Sequence, residues 1–149
     1  MPLIGALVHA AVPAGATAIG GPTMGADPIA AAVAYHSAGT PHPIPWFSVR
    51  KTAKEHGARR WLEGSVEPGD RVVVVEDVIT SGGSIIDAVR KCREEGLRVL
   101  RAVVLVDREE QGGRAAVEAA LRDAGADLVA LFGRADLERE WQAARAAAG

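Results

Sequence analysis

The sequence predicts an α/β fold in which a mainly parallel central sheet is flanked by helices. Short apolar runs alternate along the chain with amphipathic stretches, as strands alternate with crossover helices in such folds. One run, Val72 to Val75, is apolar on both faces, which is typical of a central strand covered on each side. A length of 149 residues with 48% hydrophobic content favours a single domain over residues 1–149.

Five strands are predicted, each of them a compact apolar run. They cover Thr17 to Gly21, Ile44 to Val49, Arg71 to Glu76, Val99 to Asp107 and Leu128 to Phe132. The connection from Arg50 to Asp70 is long, charged and interrupted by glycine. Because connections of this length in a small domain are usually functional, we expect a flexible loop over about residues 50–70.

The first two helices lie before the second strand. Apolar residues have helical spacing from Leu3 onward, so a helix is expected from the first turn. Asp27 is expected to cap a second helix whose first residue is Pro28, since both residue types favour those positions. The helical pattern fades by Gly39.

Three more helices are predicted in the second half of the chain. Ser84, followed three residues later by Asp87, resembles a capping box. Gly96 suits the end of the helix that this box would begin. The remaining two helices are expected over Gly113 to Ala124 and Ala135 to Ala147.

Composition narrows the classes of partner. The chain has 17 basic and 19 acidic residues and a formal net charge of -2, so no overall field would recruit nucleic acid or a membrane. Cys92 is the sole cysteine of the sequence. No intrachain disulfide can form, and we expect a reducing cytoplasm and a buried thiol.

Histidine and tryptophan give weaker signals. The three histidines outside the connection from Arg50 to Asp70 have no metal-ligand spacing with one another or with Cys92, and no chemistry is assigned to them; they are His9, His36 and His42. The tryptophans could stack on a base, but their scatter favours packing in the core or at an interface; they are Trp46, Trp61 and Trp141.

A phosphate site is predicted where the central strand ends. Glu76 and Asp77 follow the valine run, and a turn rich in hydroxyls and glycine, Thr80 to Ser84, leads into a helix. Glycines allow close backbone approach, and the amino end of a helix favours an anion. The two carboxylates would repel phosphate, so we expect them to meet ribose hydroxyls and the hydration shell of magnesium. An ordinary capped turn is the alternative explanation.

The stretch from Val72 to Ser84 resembles the ribose-phosphate signature of type I phosphoribosyltransferases, a family with a Rossmann-like core. A Walker-type nucleotide site is excluded, because the Gly-Lys-Ser/Thr ending is absent. The resemblance implies magnesium as cofactor, bound mainly through the substrate, with no metal site made by the protein alone. It also implies that phosphoribosyl pyrophosphate (PRPP) is bound by Glu76, Asp77, Val78, Ile79, Thr80, Ser81, Gly82, Gly83 and Ser84.

A second cluster of charge follows the second predicted strand. Its potential cations are Arg50, Lys51, Lys54 and His56, and it ends at Gly57. Such a loop can cover a polyanion, neutralise a leaving pyrophosphate and exclude water. A solvated run of charges is the alternative explanation.

Together with the turn from Thr80 to Ser84 (the phosphate turn), the stretch from Arg50 to Gly57 (the charged loop) resembles the catalytic loop of orotate phosphoribosyltransferases. Gly21 to Pro28 resembles the pyrophosphate loop of that family, and Asp107 to Gly113 resembles its orotate-binding segment. The resemblance implies a pentosyltransferase that transfers phosphoribose from PRPP to orotate. The products would be orotidine 5'-phosphate and pyrophosphate, in de novo pyrimidine (UMP) biosynthesis.

The same resemblance implies roles for single residues. Catalysis would involve Lys54, His56 and Asp77, and PRPP would also be bound by Arg50, Lys51, Lys54 and His56. Orotate would be bound by Thr80 and Arg108. Because the lysines and the histidine of the charged loop reach the neighbouring subunit's site in that family, a homodimer with shared active sites is expected.

The sequence departs from the family at two places. Relatives carry some tens of residues before the first helix, which form a hood over the base, and Thr23-Met24 stands where several have an aromatic-lysine pair. Three hypotheses stay open: a hood hidden by a misplaced start or truncation, a short chain that uses another base or a partner's lid, and a non-catalytic PRPP-binding regulatory module. The presence of Lys51, Lys54 and His56 argues against the third.

Overall fold

The computed structural model describes residues 1–53 and 61–147, and the strands in this part form one six-stranded sheet. The strands are β1 (Ala18–Pro22), β2 (Trp46–Val49), β3 (Leu62–Gly64), β4 (Arg71–Ile79), β5 (Arg98–Asp107) and β6 (Asp127–Gly133). The helices are α1 (Pro2–Ala10), α2 (Asp27–Ser37), α3 (Gly83–Glu94), α4 (Gly113–Asp123) and α5 (Arg134–Ala147).

The sheet has the order β3-β2-β1-β4-β5-β6. β2 and β3 are antiparallel, whereas β1, β2, β4, β5 and β6 pair in parallel. The predicted mainly parallel sheet is therefore confirmed. From β1 the chain builds outward to one edge and then, from β4, to the other. This reversal places the topological switch point between β1 and β4, where ligands bind in open α/β sheets.

Alternate valines of β4 pack into two separate hydrophobic cores, as a run that is apolar on both faces predicts. Val72 and Val74 pack on one face with residues of α3 and α4. Val73 and Val75 pack on the other face with α1 and α2. All four valines are fully buried. This burial fixes the direction of β4 and so the position of the residues that follow it.

Both predicted side-chain caps are wrong. Asp27 lies inside α2 as its first residue, behind the N-cap Ala26, and its Oδ1 accepts a hydrogen bond of 2.8 Å from the Ser48 hydroxyl. α3 begins one residue before Ser84, behind Gly82, with no hydrogen bond from a capping side chain. In both cases tertiary contacts or glycine geometry replaced the local cap. The predicted end of α3 is correct, since Gly96 follows with a φ of 80°.

Two boundaries around the site also differ from the sequence predictions. β4 continues through Val78 to Ile79, beyond the predicted end at Glu76, because β5 pairs with it as far as Asp107. The long connection contains β3, which the sequence analysis missed and which pairs with β2. Residues 50–70 are therefore not one irregular loop.

The burial predicted for the cysteine is confirmed, but that predicted for two of the tryptophans is not. Cys92 is buried on α3 as expected, and burial raises the pKa of its thiol to about 12. Trp46 and Trp141 are exposed, so core packing is wrong for both, and packing at an interface stays a prediction. No helix in the described ranges has the length and apolar character needed to cross a membrane.

Candidate functional site

A polar cleft opens at the carboxyl end of β4, beside the switch point. It has a volume of about 270 Å³ and is lined by Glu76, Val78 and each residue from Ile79 to Ile85. A larger cavity of about 720 Å³ lies at the opposite end of the strands, near Thr17 and Arg71, where β1 and β4 begin. Since open parallel sheets bind ligands at the carboxyl ends of their strands, the smaller cleft is the candidate site.

The phosphate turn joins β4 to α3 in a conformation that requires glycine. Gly82 has a φ of 79°, in the left-handed region that side chains disfavour. Gly83 then begins a helix of 12 residues that no side chain caps. The N-H groups of its first turn have no acceptors within the helix, and they carry the positive end of its dipole. The turn thus presents backbone donors to an anion, flanked by the side chains of Thr80, Ser81 and Ser84.

The beginning of α4 supports this turn from behind. A β-carbon at Gly113 would lie 2.1 Å from the Thr80 carbonyl oxygen, so any side chain there would displace the turn. A β-carbon at Gly82 would lie 2.6 Å from Val117. The pair Gly112-Gly113 is visible in the sequence, but only the fold shows that Gly113 packs against the phosphate turn.

The two adjacent carboxylates have different surroundings. Glu76 is only 7% exposed, whereas Asp77 is exposed. Burial raises the pKa of Glu76 to about 7, and a hydrogen bond to Asp77 and the negative charge of Asp77 act in the same direction. The backbone of Asp77 and the positive charge of Lys51 oppose the rise. Asp77 Oδ1 accepts a hydrogen bond from its neighbour Val78 N-H, and the carboxylate stays accessible to a ligand.

The loop after β1 lies directly against Asp77. A β-carbon at Gly25 would be 3.1 Å from the Asp77 carboxylate. Thr23 N-H donates to the Val49 carbonyl over 3.0 Å, and the peptide bond between Thr23 and Met24 is cis. The predicted pyrophosphate loop is therefore in contact with the predicted ribose carboxylate.

The first two cations of the charged loop also follow the carboxyl end of a parallel strand, β2. Arg50 follows β2 and forms an ion pair with Glu63 of β3. Lys51 is exposed, and its charge acts on Glu76. Lys54 and His56, the other predicted loop residues, lie outside the described residues.

Arg108 follows β5 and is also brought to the phosphate turn. Its backbone N-H donates to the Ile79 carbonyl over 3.1 Å, and its guanidinium lies 3.2 Å from the Glu110 carboxylate. The backbone of Arg108 therefore lies beside Ile79, the residue before Thr80, and its side chain is exposed. The two predicted orotate-binding residues therefore come from neighbouring loops.

Lys91 is a residue that the sequence analysis missed. It is only 2% exposed and its Nζ donates to the carbonyl oxygens of Arg50 and Lys51. In the sequence it is one of many helical cations. The long-range carbonyl contacts that distinguish it appear only in the folded chain.

The described residues contain no group of three or more histidine, cysteine or acidic side chains placed to hold a metal ion. The pair Glu76 and Asp77 remains as the oxygen donor set at the cleft. Two neighbouring carboxylates suit a magnesium ion that keeps most of its waters or binds through substrate phosphates.

Comparison with known proteins places this geometry in a family. The family model of the phosphoribosyl transferase domain matches residues 8–118. Orotate phosphoribosyltransferase of Aquifex aeolicus is 48% identical over 120 residues, which are 80% of this chain and 63% of that protein. The enzyme of the same name from Sorangium cellulosum is 41% identical over 138 residues, 90% of this chain and 69% of that protein.

A solved structure is similar to this chain in fold as well as in sequence. Mycobacterium tuberculosis orotate phosphoribosyltransferase, in complex with 5-phospho-alpha-D-ribosyl 1-diphosphate (PRPP), superposes with a TM-score of 0.76 and 36% identity. The match covers 91% of this chain and 74% of that one. The chain spans less than two thirds of the length of several curated relatives, 63% for the Aquifex aeolicus protein and 53% for that of Streptomyces coelicolor.

Proposed function

The chain belongs to the phosphoribosyl transferase domain family, and within it to the orotate phosphoribosyltransferases, and we propose that it transfers phosphoribose from PRPP to orotate. The products are orotidine 5'-phosphate and pyrophosphate, so the reaction serves de novo pyrimidine biosynthesis. The observation that carries the proposal is the uncapped amino end of α3 directly behind Glu76 and Asp77, at the switch point of the sheet.

The phosphate turn binds the 5'-phosphate of the donor. Its first-turn N-H groups supply hydrogen bonds and the helix dipole supplies positive potential. The hydroxyls of Thr80, Ser81 and Ser84 line the same cleft. Because a phosphate held there lies beyond the end of β4, its ribose extends toward Glu76 and Asp77.

Asp77 and Glu76 hold the ribose hydroxyls. Asp77 is exposed and accepts hydrogen bonds from the ribose hydroxyls as a carboxylate. Glu76, with a pKa of about 7, is the more buried of the two. The same pair fits magnesium carried in by the substrate, held through its water shell. When bound, magnesium supplies positive charge that stabilises the leaving pyrophosphate.

The pyrophosphate end of the donor meets two other loops. Gly25, in the loop after β1, lies beside Asp77, and Arg50 and Lys51 supply cations from the end of β2. Lys54 and His56 belong to the same charged loop in the sequence and complete the set. Charge that develops on the leaving group is thereby neutralised, and this electrostatic term is usually the largest in such catalysis.

Orotate binds on the β5 side of the cleft, with Arg108 facing its carboxylate and Thr80 contacting both the base and the phosphate turn. The protein contributes positioning and electrostatics and forms no covalent bond in this scheme. We propose a cytoplasmic homodimer, in which the charged loop of one subunit completes the site of its partner.

Calorimetric titration of the chain with PRPP and magnesium tests the site. The expected result is saturable binding that Asp77→Asn weakens by about tenfold, because one charged acceptor for the ribose hydroxyls is lost. Asp123→Asn, an exposed carboxylate at the end of α4, is the matched control and should bind as the parent does. Equal affinity in the Asp77→Asn chain would remove the carboxylate pair from the site.

A further inference from the structure

Lys91 is a buried cation whose three donors are all in use. Its Nζ lies 2.8 Å from the Arg50 carbonyl oxygen, 3.1 Å from that of Lys51 and 2.7 Å from Asp87 Oδ2. It also lies 4.4 Å from the centre of the Trp61 ring. An ammonium has three N-H donors, so this one is fully paired inside the protein.

Such a group restricts the chain that surrounds it. Burying an ammonium is costly unless each donor finds an acceptor. Asp87 is its neighbour on α3, one helical turn away, but the two carbonyls come from a segment forty residues earlier. Moving the backbone of Arg50 or Lys51 would therefore leave a buried donor unpaired.

The chain returns to the same place after the charged loop. Arg50 N-H donates to the Trp61 carbonyl over 2.8 Å, so the segment enters and leaves at one point. Trp61 N-H donates over 2.8 Å to the side chain of Glu95, the residue directly after α3. The end of α3 thus holds the backbone on both sides of residues 54–60.

The beginning of the same helix holds the phosphate turn. Lys91 lies eight residues after Gly83 on α3, a distance of about 12 Å along a helix. A helix packed on the sheet transmits position as a rigid element, and Ile85, Val89 and Cys92 anchor α3 in the core. One rigid element therefore spans the two segments that are proposed to hold the two ends of PRPP.

We propose that Lys91 and Glu95 are positioning residues that set Arg50 and Lys51 at a fixed distance from the phosphate turn, so that both cations meet the pyrophosphate group of the donor. The inference rests on the proposed function for the identity of the ligand. Neither residue touches the substrate; each acts through the backbone of the charged segment.

The test measures binding of the pyrophosphate end and of the ribose 5-phosphate end of the donor separately. Lys91→Met keeps the length of the side chain and removes its donors, and Arg93→Met is the matched control. Arg93 is a cation of the same helix and is exposed. Lys91→Met should raise the KM for PRPP and the Kd for pyrophosphate by about tenfold or more, since charged hydrogen bonds are lost.

The Kd for ribose 5-phosphate is the readout that a general structural role would also change. We expect it to stay within about twofold of the parent value in Lys91→Met, because the phosphate turn is untouched. Arg93→Met should leave all three constants unchanged. An unaltered pyrophosphate Kd in Lys91→Met, or an equal loss of ribose 5-phosphate binding, would overturn the proposal.

Glu95→Ala keeps the proposal testable if Lys91→Met does not fold, as judged by circular dichroism. Glu95 is partly exposed, so its removal should be tolerated, and pyrophosphate binding should weaken while ribose 5-phosphate binding does not. Unchanged pyrophosphate binding in this variant would contradict the positioning role.

Hydrogen exchange at the Arg50 and Trp61 amides tests the clamp without any substrate. Both amides should exchange faster in Glu95→Ala than in Arg93→Met, and equal rates would overturn the clamp. A parent chain that binds neither PRPP nor pyrophosphate would contradict the proposed function instead, and the exchange rates would still decide whether α3 holds the segment.

Discussion

Gly25 lies against the carboxylate of Asp77, so close that a β-carbon at Gly25 would be 3.1 Å from it. The two residues follow β1 and β4, the strands on either side of the switch point. This contact joins the loop proposed to hold pyrophosphate to the carboxylate proposed to hold ribose. Its geometry leads directly to a substitution that perturbs the site without removing any polar group.

Gly25→Ala should weaken PRPP binding by about tenfold, because the added methyl group displaces the Asp77 carboxylate by a few tenths of an ångström or more. Gly39→Ala is the control, since nothing lies within 4 Å of a β-carbon built there. Titration calorimetry with PRPP measures both. Equal affinities for the two variants would show that the contact has no bearing on the site.

Gly113→Ala should destabilise the protein by about 1–3 kcal/mol, as overpacking of a fixed backbone does. The new β-carbon would start 2.1 Å from the Thr80 carbonyl oxygen, so the phosphate turn or α4 must move. Thermal or denaturant unfolding gives the stability, and Gly39→Ala again serves as the reference. A Gly113→Ala chain as stable as the parent would refute the close packing of α4 on the turn.

The stability of the chain should depend on pH through Glu76. Its pKa is raised from the ordinary 4.5 to about 7, so the folded chain keeps a proton that the unfolded chain releases. The free energy of unfolding therefore falls as the pH rises from about 4.5 to about 7. Above that range the accumulated cost is on the order of 3 kcal/mol.

Glu76→Gln removes this titration, and the variant should gain stability relative to the parent at pH 8 but not at pH 4.5. Glu67→Gln, at an exposed position, controls for the loss of one negative charge. Denaturant unfolding at the two pH values is the measurement. A constant difference between parent and Glu76→Gln across the range would contradict the raised pKa.

Lys54→Ala should lower turnover far more than it lowers affinity for PRPP, because a cation that acts on the leaving group stabilises the transition state more than the ground state. Arg122→Ala, an exposed cation on α4, is the control for net charge. Steady-state kinetics with calorimetry separates kcat from binding. Full activity in the Lys54→Ala enzyme would refute the assignment of the charged loop.

The parallel sheet could be predicted because most of its strands are compact apolar runs that alternate with amphipathic stretches. The doubly apolar Val72 to Val75 stretch required two helical layers, and both are present. β3 could not be found in this way. It has three residues, Leu62 to Gly64, too few for a period, and its pairing with β2 depends on where the chain returns after the charged loop.

Around the phosphate turn, too, only part of the structure could be predicted from the sequence. The turn could be located because its composition is distinctive, but the capping roles of Asp27 and Ser84 were wrong, since Asp27 bonds to Ser48 and a left-handed Gly82 precedes α3. Lys91 could not be singled out, because its acceptors are carbonyls that every residue has. The sequence shows which side chains can donate or accept a hydrogen bond, but only the fold shows which backbone carbonyl groups they contact.

The loss of orotate absorbance in the presence of PRPP and magnesium is the decisive test of the proposed transfer reaction. We expect turnover by the purified chain, with release of pyrophosphate in equal amount, and strong loss of turnover in Asp77→Asn. Saturable binding of PRPP with no consumption of orotate would contradict the proposed transfer reaction, and would leave a phosphoribosyl site that serves another base or a regulatory role.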